Sequence, residues 1–393
     1  MRILQICPKP PRPKIDGGCI AMDAMSEGLA GLGHNVKVFA LATQKHPIMA
    51  DSICDDYVRD YQFESFGIST SINPISALFH LATNRSYNAS RFYSRDVAER
   101  LKERLEEKEF DLIILESIYA CNYTDIIKES SKAKIVLRAH NVEFEIWREL
   151  ARQSGFLKGW YVNKLSSQLE KFELEESQKV DGIVTITKDD AKWFEDNTKA
   201  PVHVCPFSVD LSRVNPREKV DHVFHFGSMD WLPNQEGVRW LIHEVWPIVR
   251  AEHKNAKLVL AGRNMPSEFE SNPDMGIEVK GEVESAEEFL SRNGIATVPV
   301  LSGSGMRVKA IEAMSMGLPV VGTSLGMVGT EVENGVHALI EDSTDGFAYA
   351  ICKLLDSQSL TLEIAENGQR HVENCFNKTN TFKQLDSFLQ KIS

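Results

Sequence analysis

Short apolar runs recur through the first half of the chain, ILQI, NVKVFAL, DLIILE, AKIVLRA and DGIVTIT, and stretches with helical spacing separate them. Strand-length runs alternating with amphipathic helical patterns predict βαβ units and a parallel sheet. The segment PVHVCPFSVDLSRVNPREK, with three prolines, interrupts the alternation. It then resumes with HVFHFGS, AKLVLAG, GIEVKG, IATVPVL and LPVVGT, separated by the helical segments NQEGVRWLIHEVWPIVRAEH, SAEEFLSRN and MRVKAIEAMSM. The pattern predicts an α/β protein of two doubly wound, Rossmann-like domains, residues 1–205 and 206–377, with a hinge near Pro206. Such sheets bind ligands at the carboxyl ends of their strands, which places the expected site in a cleft between the two domains.

The charged segments SRDVAERLKERLEEK and WYVNKLSSQLEKFELEESQK read mainly as solvated helices laced with i,i+4 pairs. ISALFHLATNRSYNASRFYSR mixes aromatic and basic side chains, and either packs on its domain or meets a sugar or lipid-linked acceptor. At 393 residues the chain exceeds what one core usually serves, in keeping with two domains. Its net charge of −12 opposes non-specific nucleic-acid binding but leaves room for a local basic pocket. Seven scattered cysteines, with no CxxC, read as thiols of a reducing compartment. The N-terminal apolar run is too short for a signal peptide and no later stretch approaches a membrane span, so the expected location is the cytoplasm, with attachment to a membrane surface open.

Four constellations are candidates for chemistry. Gly17 and Gly18 fall where the first strand crosses to a helix, forming either a backbone approach for an anion or a tight turn. His140, in HNVEFEIW, stands at a strand's carboxyl end, where it is either functional or a satisfied polar residue beside a helix capped by Asn141. In HFGSMDWLPN, Gly227 and Ser228 bring backbone to a strand end, while Asp230, Trp231 and Asn234 offer polar and stacking contacts; Arg263 follows the next strand. The fourth is SGSGMRVKAIEAMSMG, residues 302–317, in which Ser304, Gly305 and Met306 lead into a helix bearing Arg307, Lys309 and Glu312. Unpaired N–H groups and the two cations suit phosphate, and the carboxylate suits the paired hydroxyls of a ribose, so the ligand suggested is a nucleotide. A surface helix with charge pairs is the plainer reading. GxGxxG, HExxH and GxxxxGK[ST] are missing, which counts against dehydrogenase, zinc-protease and P-loop chemistry.

The stretch EAMSMGLPVVGTS, with DGG after the first strand, RAHNVEFE at mid-domain, PFSVD at the connection and HFGSMDWLPN opening the second domain, resembles the family 4 retaining glycosyltransferases of GT-B fold (glycosyl transferases group 1). The resemblance implies two Rossmann-like domains facing each other across a cleft, with a C-terminal helix at about 378–393 packing back on the first. It implies metal-independent transfer of a sugar from a nucleotide diphosphate donor to a glycan or lipid-linked acceptor, with no cofactor and no nucleic-acid partner. By position it puts Glu312 on the ribose, Gly17 and Gly18 near the donor phosphates, and His140 beside the donor sugar. Arg307 and Lys309 are the expected cations for the leaving diphosphate, because the family's usual Arg and Lys have no clear counterpart in GSMDW. Eight positions before Glu312 the family's other glutamate is replaced by Ser304. A nucleotide-sugar epimerase and a catalytically weak nucleotide-sugar or glycan-binding protein are the competing readings.

Overall fold

The computed structural model describes residues 1–14, 16–48, 53–209, 222–292, 294–303 and 305–393. It divides into two units, Met1–Phe207 with Thr379–Ser393, and Ser208–Lys378.

The first unit is built on a seven-stranded parallel sheet in the order β3-β2-β1-β4-β5-β6-β7. Its strands are β1 (Arg2–Cys7), β2 (Asn35–Ala42), β3 (Glu64–Gly67), β4 (Leu112–Glu116), β5 (Lys134–Ala139), β6 (Gly182–Thr185) and β7 (Val202–Val204). The central strands are mostly apolar because helices cover both faces, and Ile3, Leu4 and Ile6 of β1 are fully buried, while Gln5, Glu116 and Arg138 are buried polar exceptions. Strand order reverses between β1 and β4, so the loops following them diverge and leave a crevice at their carboxyl ends. The two edge strands, ESFG and VHV, are short and only partly buried. They lack the apolar run that marks the interior strands, and VHV lies in what the pattern assigned to the connection.

The last helix, Lys378–Ile392, belongs to this unit. Phe382, Leu385 and Leu389 join Met22, Met25 and Leu29 of the helix Gly17–Gly31 in one core cluster. The fit depends on Gly28, where a Cβ atom would sit 2.2 Å from the Phe382 ring. His34 pairs with Asp386 at 2.8 Å, and His203 stacks on Phe388 at 5.0 Å.

The second unit carries a six-stranded parallel sheet, β10-β9-β8-β11-β12-β13. These strands are β8 (His222–Phe226), β9 (Lys257–Ala261), β10 (Ile277–Gly281), β11 (Ile295–Val298), β12 (Val320–Gly322) and β13 (Leu339–Ile340). Here the order reverses between β8 and β11. The segment 232–252 is helical throughout, but Leu241–Val245 widens to a π-type turn just before Pro247, which has no N–H to offer the preceding turn.

Candidate active site

In the first unit, three strand ends converge on one buried carboxylate. Glu116, the last residue of β4, is fully buried and accepts hydrogen bonds from Gln5 Nε2 (2.7 Å), Arg138 Nη1 (3.1 Å) and His140 Nε2 (2.6 Å). Gln5 also donates to the Met22 carbonyl, and Arg138 to the Ala21 carbonyl, tying the cluster to the first helix. Burial opposes the charge on Glu116, yet Arg138, together with the hydrogen bonds from His140 and Gln5, outweighs it and holds the carboxyl below its usual range. His140 is pushed the other way: burial lowers its pKa despite the carboxylate beside it. The arrangement is therefore an anionic Glu116 orienting a neutral imidazole through Nε2–H, which leaves Nδ1 as the acceptor. Glu116 and Arg138 carry no role in the sequence reading, although each is a charge in an otherwise apolar strand.

The glycine pair begins a helix capped by Asp16, whose carboxylate accepts from Cys19 N–H at 2.9 Å. Lys9 Nζ binds both Asp16 oxygens, at 2.7 and 2.6 Å, and His46 Nε2 lies 3.1 Å from one of them. Against the cost of burial, the Lys9 ion pair and these hydrogen bonds hold the Asp16 carboxyl far below its ordinary range. A Cβ on Gly18 would meet Lys9 Nζ at 2.9 Å, whereas Gly17 faces open space. Lys9 is thus a cation at the mouth of this loop that motif spacing gave no reason to select.

The helix after His140, Glu143–Arg152, is not capped by Asn141. Its first N–H groups are taken by carboxylates from later helices: Glu173 accepts from Glu143 and Phe144, and Asp190 from Val142. Burial raises the pKa of both acids, and of Glu143 beside them.

The second unit gathers its polar groups around Gly227, at the end of β8. Lys309 Nζ donates to Asn234 Oδ1 at 2.6 Å, and Asn234 Nδ2 donates to the Ser228 carbonyl at 2.7 Å. A side chain at position 227 would place Cβ 2.8 Å from Lys309 Nζ and 3.5 Å from His225 Nε2, so the glycine makes room for the ammonium. His225 donates through Nδ1 to the Thr297 carbonyl, and its Nε2 is buried without a hydrogen-bond partner. Burial drives Lys309 down to about 7, further lowered by Arg307 and partly restored by Glu312. Burial raises Glu312 to about 7 as well, opposed by Lys309. An amine and a carboxyl one helical turn apart are both held near neutrality, so both stand ready to take charge when a ligand supplies a partner.

Arg307 is placed differently from the sequence expectation. It precedes the helix Val308–Ser315 and is buried, with Nε on the Leu325 carbonyl (2.8 Å) and Nη2 on the Gly303 carbonyl (2.9 Å). Its guanidinium lies 5.0 Å from the Trp231 ring centroid. Gly303 and Gly305 have φ of +90° and +92°, the left-handed region that glycine occupies freely. Arg307 therefore fastens a turn that only glycines make cheaply. Met306 packs against Gly329, and Ser304 lies outside the described residues. Ser228 Oγ donates to Asp230, which also accepts from Asn264 at 2.8 Å and pairs with Arg263 at 3.6 Å, so Arg263 belongs to the rim formed by the ends of β8 and β9.

Two Rossmann-like units with parallel sheets are the architecture of the GT-B glycosyltransferases. The chain superposes over its full length on sucrose-phosphate synthase from Thermosynechococcus elongatus (TM-score 0.70, 15% identity, 99% of that chain). It likewise superposes on Anabaena HepE in complex with UDP (TM-score 0.66, 12% identity, all of both chains). At these identities the likeness is one of fold. Residues 221–357, the core of the second unit, match the family model "Glycosyl transferases group 1". Among curated proteins, an uncharacterized 44.6 kDa protein in the cps region of Klebsiella pneumoniae is 25% identical over 302 residues, 73% of this chain and 76% of its own. The putative glycosyltransferase YtcC of Bacillus subtilis is 24% identical over 315 residues, 75% and 76% of the two chains. Together these matches support a glycosyltransferase carrying a group 1 domain. Among the described residues no helix is long and apolar enough to cross a membrane.

Proposed function

We propose that the protein is a retaining, metal-independent glycosyltransferase of family 4. In this reading it moves a sugar from a nucleoside diphosphate onto a glycan or lipid-linked acceptor during surface polysaccharide or lipopolysaccharide assembly, in the cytoplasm at the inner face of the membrane. The observation that carries this reading is the Lys309–Glu312 pair at the strand-order reversal of the second sheet. Lys309, beside the backbone of Gly227, is suited to a diphosphate, and Glu312 to the ribose hydroxyls.

As the sugar–phosphate bond breaks, negative charge accumulates on the diphosphate. A fixed ammonium and backbone N–H groups stabilise it there more than in the intact donor, which lowers the barrier. Arg307 serves this step indirectly, by holding the Gly303–Gly305 turn. The neutral, Glu116-oriented imidazole of His140 is suited to accept a hydrogen bond from a sugar hydroxyl at Nδ1.

The test is a panel of nucleoside diphosphates screened for thermal stabilisation, followed by assays of nucleotide release with and without candidate acceptors. HepE has been crystallised with UDP, which makes uridine diphosphate the first nucleotide to try. Stabilisation with acceptor-dependent release is expected. Acceptor-independent consumption of the donor would indicate an epimerase, binding without turnover would indicate a binding protein, and no stabilisation by any nucleotide would refute the reading.

A further inference from the structure

The chain's acidic residues are absent from two long segments. Residues 65–95 and 150–169 contain no Asp or Glu, while carrying Arg85, Arg91, Arg95, Arg152, Lys158 and Lys164, in a chain whose net charge is −12. The fold brings these segments together within the first unit: Lys164 Nζ donates to Asn84 at 3.0 Å, and Gln168 Nε2 to the His80 carbonyl at 3.1 Å. Arg95 and Arg152 are neutralised by Glu99 and Glu149, leaving the lysines and Arg85 as the main source of positive field.

The same segments hold the most exposed large apolar side chains. The helix Pro74–Thr83 buries none of its residues, and Ile75 (82% exposed), Leu78 and Phe79 form an i, i+3, i+4 stripe on it. The first turns of the helix Phe156–Ser177 expose Phe156 (90%), Leu157 (80%) and Trp160 (65%), with Lys158 and Lys164 interleaved. Other residues of the same two helices help line a cavity of about 880 Å³ whose lining includes the cations Arg85, Arg91 and Lys171 against one carboxylate, Glu175. Gln168 Oε1, on another lining residue, is buried without a hydrogen-bond partner.

We propose that this acid-free, apolar face docks the protein on the surface of an anionic lipid bilayer, with Phe156, Leu157, Trp160 and the Ile75 stripe entering the interface and the basic residues meeting phosphate headgroups. A second protein could cover an apolar stripe, but charge decides between the occupants. Interleaved lysines and exposed Trp at the edge of an apolar patch match a headgroup layer, where the apolar body inserts and the cation stays in the polar zone. The inference deepens the reading of a membrane-side transferase and names the surface it would use.

The experiment is co-sedimentation of the full chain with vesicles of mixed phosphatidylglycerol and phosphatidylethanolamine, against vesicles of phosphatidylcholine alone. Two double variants are compared, Phe156→Ser with Trp160→Ser and Lys158→Glu with Lys164→Glu. All four positions belong to the first unit and the Lys309–Glu312 cluster to the second, and thermal melts monitor their folding. Wild type is expected to partition onto the anionic vesicles at least tenfold more strongly, and each double variant to lose roughly tenfold or more. Equal partition onto both vesicle types, or variants that bind as wild type, would overturn the proposal. So would self-association of wild type, lost in the Phe156 and Trp160 variant, without any vesicle binding. Stabilisation by the nucleoside diphosphate panel measured in parallel separates the two readings: docking without binding of any nucleotide would spare this proposal and sink the transferase, and the reverse outcome would do the opposite.

Discussion

Substituting Glu312 by Gln should make the unliganded protein more stable and the nucleotide complex weaker. The carboxyl's pKa is raised from 4.5 to about 7 by burial. At about 1.36 kcal/mol per tenfold in proton affinity, keeping the group ionised costs the fold about 3 kcal/mol above pH 7. Glu312 is not fully enclosed, so we halve that figure, and losing its support for the Lys309 ammonium removes a little more. A net gain of about 1 kcal/mol in unfolding free energy at pH 8 is the expected result. The gain has a defined pH course. Below pH 4.5 the carboxyl is protonated in both folded and unfolded states and the variant has no advantage. The advantage grows from 4.5 to about 7, as the unfolded chain ionises while the fold resists, and is constant above that. Nucleotide affinity should fall by roughly 30- to 150-fold, about 2 to 3 kcal/mol, because the amide replaces charge-assisted hydrogen bonds to the ribose. Urea titrations across this pH range and calorimetry with UDP measure both quantities. A variant less stable than wild type at pH 8, or equally tight UDP binding, would show that Glu312 is neither strained in the empty site nor on the ribose.

Further outcomes follow from the other clusters. Glu116→Gln should destabilise the first unit by about 3 kcal/mol in chemical denaturation, since Arg138 would be left buried opposite a neutral amide. Arg307→Lys should lower thermal stability by about 2 kcal/mol and weaken donor binding, because one ammonium cannot span the Gly303 and Leu325 carbonyls that the fork bridges; unchanged melting would remove its fastening role. UDP affinity measured against pH should peak near 7, declining at lower pH as Glu312 takes up a proton and at higher pH as Lys309 loses one. A profile flat from pH 5.5 to 8.5 would separate both groups from the ligand.

The interior strands of both sheets are legible in the sequence because parallel strands covered on two faces are near-continuous apolar runs, broken in the first sheet by few polar residues. The edge strands ESFG, VHV and the pair Leu339–Ile340 escape the same rule, since their short, partly exposed backbones are held by neighbours rather than by an apolar pattern of their own. Site residues divide along similar lines. Glu312, Lys309 and Gly227 announce themselves through local spacing, and the structure brings the latter two into contact. The partners of His140 could not be found that way, because Gln5, Glu116 and Arg138 come from three separate strands and meet only through sheet register. A charge at the end of an apolar strand was the available signal. The direction of the Arg307 side chain was invisible for another reason: the carbonyls of Gly303, a left-handed glycine, and of Leu325 compete with any phosphate for it, and only backbone geometry reveals them.

The rejoining of residues 379–393 to the first unit makes residues 208–378 an insertion in the chain of that unit. Phe382, Leu385 and Leu389 are the last parts of its core to be synthesised, so a ribosome delivers a whole second unit before it delivers a whole first one. During translation the face of the helix Gly17–Gly31 that receives Phe382 waits unsealed, and a nascent chain stalled near residue 378 would present it to chaperones.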